Sequence, residues 1–291
     1  MLLGKGSFGR VTLWHNKADK MICMDEDLEL LHQIREWYIG RSIFPNFYKS
    51  IRLSKWAIII TMTCGFGYLK TKFLRMSKRK ALEKIALQVA LLHSQGIIHG
   101  DIKPTNIIMT KNGTDLQIVD FGASHIAPEP IIPVREMITR WYRPPEVIHK
   151  YSIAADMWSI GCVWYELVHE KPLFGCENQI ELDLCHERYF KSKPFKCPIL
   201  RNLICKKEDR WDIETLLHHL NVPYKRPKTV IPQTHSELLK HFYKQNKNIN
   251  ACLFATDAMF DNDSDVKYDD LLRSLKVLEI FTLPSITNEV S

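Results

Sequence analysis

Apolar residues in roughly the first sixty positions occur in short runs separated by glycine, asparagine and charged residues, a pattern typical of β-strands. Leu28, Leu31 and Ile34 instead recur at helical spacing and predict one amphipathic helix over about 26–36. The predicted strands are Leu2–Leu3, Val11–Trp14, Met21–Met24 and Ile58–Thr61, with Thr63-Cys64-Gly65 as the connector after the last of them.

From Ser77 onward the apolar pattern changes to a helical period. Ile85, Val89 and Leu92 fall on one face of a helix that extends to about Gln95-Gly96. Further helices are predicted over about 154–170, 212–220, 236–244 and 266–279. A small strand-rich unit followed by a larger helical one predicts an α+β protein.

Composition and charge exclude several classes of protein. Hydrophobic residues make up 45% of the 291 positions and charged residues 25%, which excludes disordered and fibrous chains. The longest uncharged apolar run, 56–62, is too short to span a bilayer, and residues 1–6 carry no mark of secretion. We therefore expect a soluble intracellular protein, cytoplasmic or nuclear, with no membrane partner.

The net charge of +7 is spread along the chain and no nucleic-acid motif accompanies it, so a solvated basic surface is favoured over a nucleic-acid partner. The eight cysteines include no C-x-x-C pair, which favours free thiols over a zinc site.

A glycine-rich segment follows the first predicted strand. Residues 4–11 read GKGSFGRV, and glycines at this spacing let backbone N–H groups approach phosphate oxygens closely. A dinucleotide site would need a helix directly after Gly9, whereas Val11–Trp14 has the pattern of a strand. The segment therefore predicts a nucleotide-phosphate loop between two strands, and its candidate residues are Gly4, Lys5, Gly6, Ser7, Phe8 and Gly9.

Four further motifs follow in a fixed order. The first is HGDIKPTN from His99 to Asn106, and Asp120-Phe121-Gly122 begins fourteen residues after Asn106. WYRPPE at 141–146 and DMWSIG at 156–161 complete the set. In these motifs, and in the glycine loop, the chain resembles the eukaryotic protein kinases. The resemblance implies a bilobal fold, with a small β-rich lobe at 1–64, a larger helical lobe at 65–280 and a tail at 281–291.

The resemblance also implies a chemical role for each residue of the catalytic run. Asp101 would accept the proton of a substrate hydroxyl, and Lys103 would offset charge on the transferred phosphoryl group. Asn106 and Asp120 would hold Mg²⁺ across the phosphates of ATP. The nucleotide itself would lie against the glycine loop together with Leu3, Val11, Met62, Cys64 and Ile108.

The segment between Asp120 and Glu146 narrows the resemblance. Its length of twenty-six residues and its Trp-Tyr-Arg run are similar to the CMGC group, which includes the cyclin-dependent, MAP and DYRK-type kinases. Proline replaces the alanine of that group's alanine-proline-glutamate motif. Thr139 matches the threonine that accompanies serine/threonine specificity, so the resemblance implies a protein substrate phosphorylated on serine or threonine.

Glu146 and Asp156 match structural positions of the family. Kinases pair the Glu146 position with a late arginine, and two segments compete for that place. Asp209-Arg210-Trp211 offers an arginine, whereas the segment 259–272 resembles the CMGC version with Asp265 in the arginine's place. The second alignment is favoured because it leaves a short C-terminal tail, and it predicts that the ion pair at Glu146 is missing or uses another cation.

The N-terminal lobe departs from the family pattern. Aligning Met21–Met24 with the V-A-I-K strand places Met24 where the family has its ATP-gripping lysine. Asp27, or as second choice Glu29, then matches the helix glutamate, the connector before the helix is deleted and the first strand is clipped. A substitute cation is expected at Lys5 or at Lys20.

Two functions and one regulatory property follow. The chain is either an active kinase with unusual or reduced activity, or a pseudokinase scaffold that docks a partner through the surface around 175–260. Gly100 stands where loop-phosphorylated kinases carry a phosphate-binding arginine, and Val134 stands at the phosphoacceptor position. Ser124 and Thr139 are the only serine or threonine residues between Asp120 and Glu146, so control by loop phosphorylation is not expected.

Overall fold

A computed structural model of the chain describes residues 1–6, 9–23, 36–53, 57–126, 140–148, 152–192 and 195–228. The N-terminal part is a five-stranded antiparallel sheet in the order β1-β2-β3-β5-β4. Its strands are β1 (Leu2–Gly6), β2 (Gly9–Trp14), β3 (Lys17–Cys23), β4 (Tyr48–Leu53) and β5 (Ala57–Thr63).

The third strand begins four residues earlier than predicted, and this shift matters for the site. β3 lies in the centre of the sheet because it pairs with β2 on one side and β5 on the other. Ala18, Lys20 and Ile22 alternate onto one face of β3, and all three are buried. A lysine therefore occupies a core position between two apolar residues.

One helix, α1, precedes β4 and is described over residues 36–43. The predicted helix at about 26–36 overlaps it only at Glu36, and its remaining residues lie outside the described part of the chain. Glu36, Trp37 and Ile39 are all buried. Gly40 lies four residues after Glu36 and thus on the same face of the helix.

The second part of the chain is mainly helical, as predicted. Ser77 caps α2 with its hydroxyl, which accepts from the Lys80 N–H at 3.1 Å. The helices that begin near 154 and 212 are also observed, whereas those predicted at 236–244 and 266–279 lie outside the described residues. The helices are α2 (Lys78–Ser94), α3 (Ile153–His169), α4 (Gln179–Ser192), α5 (Pro198–Leu203) and α6 (Ile213–His219).

Short strands position the loops that carry the catalytic motifs. β8 (Ile107–Thr110) and β9 (Asp115–Ile118) form an antiparallel hairpin, and β6 (Gly67–Tyr68) pairs with β8. β7 (Ile97–Ile98) pairs with β10 (His125–Ile126). None of the helices in the described ranges is long and apolar enough to cross a membrane. The predicted limits at 280 and 291 fall outside those ranges and stay predictions.

Candidate active site

Lys20 joins three elements at the centre of the site. Its Nζ lies 2.9 and 2.8 Å from the two carboxylate oxygens of Glu36 and 2.8 Å from Oδ1 of Asp120. The Lys20 and Glu36 side chains are buried, whereas 30% of the Asp120 side chain is exposed. One cation thus links β3, α1 and the segment after β9, and this arrangement will be called the Lys20 triad.

Electrostatics differ among the three members because two carboxylates share one ammonium. Burial opposes the charge of Lys20, but Asp120 and Glu36 outweigh it and raise the lysine pKa. Burial raises the pKa of Glu36 to about 7 despite Lys20. Burial also acts against ionisation of Asp120, but Lys20 outweighs it and lowers the Asp120 pKa. The more exposed carboxylate therefore stays ionised at neutral pH, as a metal ligand must.

The prediction that the strand lysine is absent was wrong. Met24, Asp27 and Glu29 lie outside the described residues. Lys20, one of the two expected substitute cations, lies on β3 and makes the contact to a helix carboxylate that is expected of the strand lysine. It also contacts Asp120. Glu36, sixteen residues further on, supplies the helix carboxylate, so no connector has to be deleted. The cause of the error was the start of β3, since four residues of the strand precede the apolar run used for alignment.

The catalytic run packs its polar side chains against one another. The Asn106 amide Nδ2 donates to the Asp101 carbonyl at 2.9 Å and to its carboxylate Oδ2 at 3.0 Å. Lys103 Nζ lies 2.6 Å from the same Oδ2. Asp101 and Asn106 are both buried. A carboxylate, an ammonium and an amide are thereby held in a single cluster.

The β8–β9 hairpin brings Asn106 and Asp120 to one end. Ile107 pairs with Ile118 across the hairpin, and the Val119 N–H donates to the Asn106 carbonyl at 2.9 Å. Asp120 follows directly in the left-handed region, with φ 69° and ψ 75°. A carboxylate and an amide oxygen fit a hard divalent cation. Because the Asn106 nitrogen makes both hydrogen bonds to Asp101, its oxygen is the atom able to ligate such an ion.

Asp156 on α3 binds the backbone at the start of the catalytic run through its carboxylate. Its Oδ2 accepts from the His99 N–H at 2.8 Å, and its Oδ1 accepts from the Gly100 N–H at 3.0 Å. His93 on α2 lies 3.0 Å from Oδ2 through Nε2. Burial opposes ionisation of Asp156, but hydrogen bonding from His93 outweighs it and lowers the pKa. The structural role predicted for Asp156 is consistent with this fully buried position.

The predicted nucleotide residues divide between the sheet and the connector. Gly4, Lys5 and Gly6 end β1, and Gly6 pairs with Gly9 at the start of β2. Ser7 and Phe8 lie outside the described residues. A Cβ on Gly9, at φ 129°, would collide with the Met21 carbonyl oxygen, so position 9 requires glycine.

The remaining nucleotide candidates flank the same region. Leu3 on β1 is 43% exposed, and Val11 on β2 is half-buried. Met62 is buried at the end of β5, with Cys64 half-buried just after it. A Cβ on Gly65 would overlap the Ile108 side chain, so the connector runs directly against β8.

Glu146 does have a buried arginine partner, contrary to the favoured alignment. Arg210 lies 2.5 Å from Glu146 Oε1 through Nη1 and 3.3 Å from Oε2 through Nη2. The same guanidinium donates to the carbonyls of Ala154 and Cys205 at 2.7 and 2.8 Å. The choice of Asp265 was wrong because the segment between α5 and α6 already brings an arginine to Glu146. Asp265 itself, like Thr139 and Val134, lies outside the described residues.

Sequence reasoning missed Glu36 and the part played by Tyr48. Lys20 carried a usable signal, since a lysine two positions from Ala18 and two from Ile22 falls on the buried face of a strand. Tyr48 is completely buried at the start of β4, and its hydroxyl accepts from the Asp120 N–H at 3.3 Å. No local pattern marks Tyr48, because its partner lies 72 positions away.

The fold combines a five-stranded antiparallel sheet with a mainly helical part, and the Lys20 triad joins the sheet to the segment after β9. Residues 1–248 match the protein kinase domain family, and the chain belongs to that family. The predicted kinase resemblance and α+β fold are thus confirmed. Members of this family use ATP and a divalent metal.

Two similar proteins are plant kinases of different kinds. Cyclin-dependent kinase G1 of Arabidopsis thaliana is 46% identical over 94 residues, 31% of this chain and 15% of that protein. Mitogen-activated protein kinase 1 of Oryza sativa subsp. japonica is 33% identical over 135 residues, 39% of this chain and 34% of that protein. Both names belong to the kinds of kinase, cyclin-dependent and MAP kinases, that the segment between Asp120 and Glu146 resembles. The matched segments span about a third or less of these relatives.

Proposed function

We propose that the protein is a serine/threonine protein kinase that transfers the γ-phosphoryl group of Mg-ATP to protein hydroxyls. The observation that carries the proposal is the Lys20 triad, in which one buried ammonium meets both the helix carboxylate and the candidate metal ligand at 2.8 Å. Phosphoryl transfer depends on positioning and charge neutralisation more than on covalent chemistry, and the triad supplies both.

Each polar group of the site has a task in this reaction. Lys20 binds the ATP phosphates, while Glu36 holds its side chain in place. Asn106 and Asp120 would hold the Mg²⁺ ion, which neutralises phosphate charge when bound. Asp101 accepts the proton of the substrate hydroxyl, and Lys103, 2.6 Å from that carboxylate, lies where it can offset charge on the transferred group.

A pseudokinase scaffold is the second candidate function. The argument for this function was that the strand lysine is missing. Lys20 lies on β3 and binds the Glu36 carboxylate, so that argument no longer holds. The described part of the surface around 175–260 includes α4, α5 and α6. The enzyme is therefore the better-supported function, with Thr139 retained as the predicted serine/threonine determinant.

Asp101→Asn tests the function directly. The variant is expected to lose transfer to serine and threonine peptides by about 10²- to 10⁴-fold, because an amide cannot accept the hydroxyl proton. Thermal stabilisation by Mg-ATP should be almost unchanged, since Asp101 acts on the substrate and not on the nucleotide. Phosphate incorporation into a peptide panel, together with thermal shift, gives both readouts.

Asp120→Ala serves as the matched control for nucleotide binding. This variant should lose the Mg-ATP thermal shift, because it removes the candidate metal ligand. A wild-type protein that shows neither transfer nor a thermal shift would contradict the enzyme and favour the scaffold. Undiminished transfer by Asp101→Asn would remove Asp101 as the base.

Phosphatase treatment is expected to leave the activity unchanged. Gly100 has φ 85°, and a Cβ there would collide with the Ala123 carbonyl oxygen, so an arginine that receives phosphate does not fit. Ser124 is completely buried and donates its hydroxyl to the His99 carbonyl at 3.0 Å, so it is not accessible to another kinase. Turnover before and after treatment measures the effect. A large drop mapped to a phosphosite within 122–140 would contradict this expectation.

A further inference from the structure

Tyr48 fills a space in the site that Gly40 leaves open. A Cβ built on Gly40 would lie 2.5 Å from Cε2 and Cζ of the Tyr48 ring. The ring therefore lies directly against the backbone of α1, one helical turn after Glu36. Any larger residue at position 40 would displace it.

The other side of the ring contacts the segment that carries the metal ligand. The Tyr48 hydroxyl accepts from the Asp120 N–H at 3.3 Å, and the ring centroid lies 5.9 Å from that of Phe121. Phe121 in turn lies 5.1 Å from the His99 ring of the catalytic run. Tyr48 is thus a continuous link between α1, β4 and the Asp120 segment.

From this geometry we propose that Tyr48 is a positioning residue that acts through Asp120. Its hydroxyl holds the Asp120 backbone in the left-handed conformation, and its ring fixes the distance from that backbone to α1. Glu36 and Asp120 consequently remain together around Lys20. The expected effect on phosphate transfer rests on the proposed kinase function. The expected effects on the Asp120 amide and on Mg²⁺ binding rest only on the contacts of Tyr48.

Tyr48→Phe tests the hydroxyl alone. Hydrogen–deuterium exchange at the Asp120 amide is expected to become about three- to tenfold faster, the scale of one lost hydrogen bond. The Mg²⁺ concentration that gives half-maximal thermal stabilisation at fixed ADP should rise by a similar factor, because Asp120 is held less firmly. For phosphate transfer, the Mg²⁺ requirement should rise more than the peptide KM.

Tyr38→Phe is the matched control. Tyr38 is another buried tyrosine, but it lies on α1, and its hydroxyl is hydrogen-bonded to Ser42. Its removal should change neither amide exchange at Asp120 nor the Mg²⁺ midpoint. Unchanged exchange in Tyr48→Phe would overturn the proposal, and faster exchange with an unchanged Mg²⁺ midpoint would overturn the positioning role.

A second pair of variants tests the contact between ring and helix. Gly40→Ala should raise the Mg²⁺ midpoint when Tyr48 is present, because the new methyl group displaces the ring. In a Tyr48→Val background the same Gly40→Ala change should have no such effect. Equal effects in both backgrounds would overturn the proposed link. If wild-type protein binds Mg-ADP and follows this pattern yet transfers no phosphate, the proposed function fails while the role of Tyr48 stands.

Discussion

Lys20→Met is expected to lower phosphate transfer by about 10²- to 10³-fold, the effect of removing one preorganised charge at a reacting phosphate. The substitution also leaves Glu36 and Asp120 without the ammonium that lies within 2.8–2.9 Å of both. Without Lys20 the pKa of the buried Glu36 rises further above its ordinary value, so Glu36 takes up a proton. The contacts that hold α1 to the Asp120 segment are then lost, and the KM for ATP should rise as well. Steady-state kinetics at several ATP concentrations separate the two effects.

Three further variants make this test specific. Lys20→Arg should recover only part of the activity, because a planar guanidinium does not replace a compact ammonium between two carboxylates. Lys17→Met, on the same strand but exposed, should behave like wild type. Lys5→Met should also have near-normal kinetics. Normal turnover in Lys20→Met combined with a large loss in Lys5→Met would return the phosphate-binding role to the glycine loop.

The catalytic run could be predicted from sequence because its geometry is local. Asp101, Lys103 and Asn106 lie within six residues of one another, and the described contacts among them are side-chain and backbone bonds of this one segment. Asp120 comes to the same end through a single hairpin with a short turn. Spacing alone therefore determines most of this cluster.

The N-terminal half of the site could not be read in the same way. Which face of β3 is buried depends on its pairing with β2 and β5, and β5 lies about forty residues further along the chain. The apolar run that begins at Met21 therefore placed the predicted start of β3 too late in the chain. The alternation of Ala18, Lys20 and Ile22 was nevertheless present in the sequence. Glu36 is then found only once Lys20 is placed.

The partner of Glu146 shows the same dependence on distant contacts. Two late segments were compatible with the motif, and the length of the tail favoured the wrong one. What decides between them is packing: Arg210 has no exposed side-chain surface and lies over the Trp158 ring at 5.1 Å. A cation held against the core of α3 cannot be inferred from the local sequence around it.

Arg210→Ala is expected to destabilise the fold by about 3 kcal/mol, because removing the buried guanidinium leaves the half-buried Glu146 carboxylate without its partner. Glu146 would lose two bonds to the guanidinium, and the Ala154 and Cys205 carbonyls would each lose a donor. Urea unfolding should show a lower midpoint with an unchanged m-value. Transfer activity at low temperature should persist, since none of these groups contacts the catalytic run.

The size of the effect can be assigned to the buried pair by comparison with two other arginine variants. Arg210→Lys keeps the charge but cannot reach all four acceptors, so we expect a smaller loss of about 1–3 kcal/mol. Arg201→Ala removes an exposed arginine on α5 and should change stability by less than about 0.5 kcal/mol. If Arg210→Ala were as mild as Arg201→Ala, Glu146 would have to find its cation elsewhere, and the alignment that places Asp265 opposite Glu146 would have to be reconsidered.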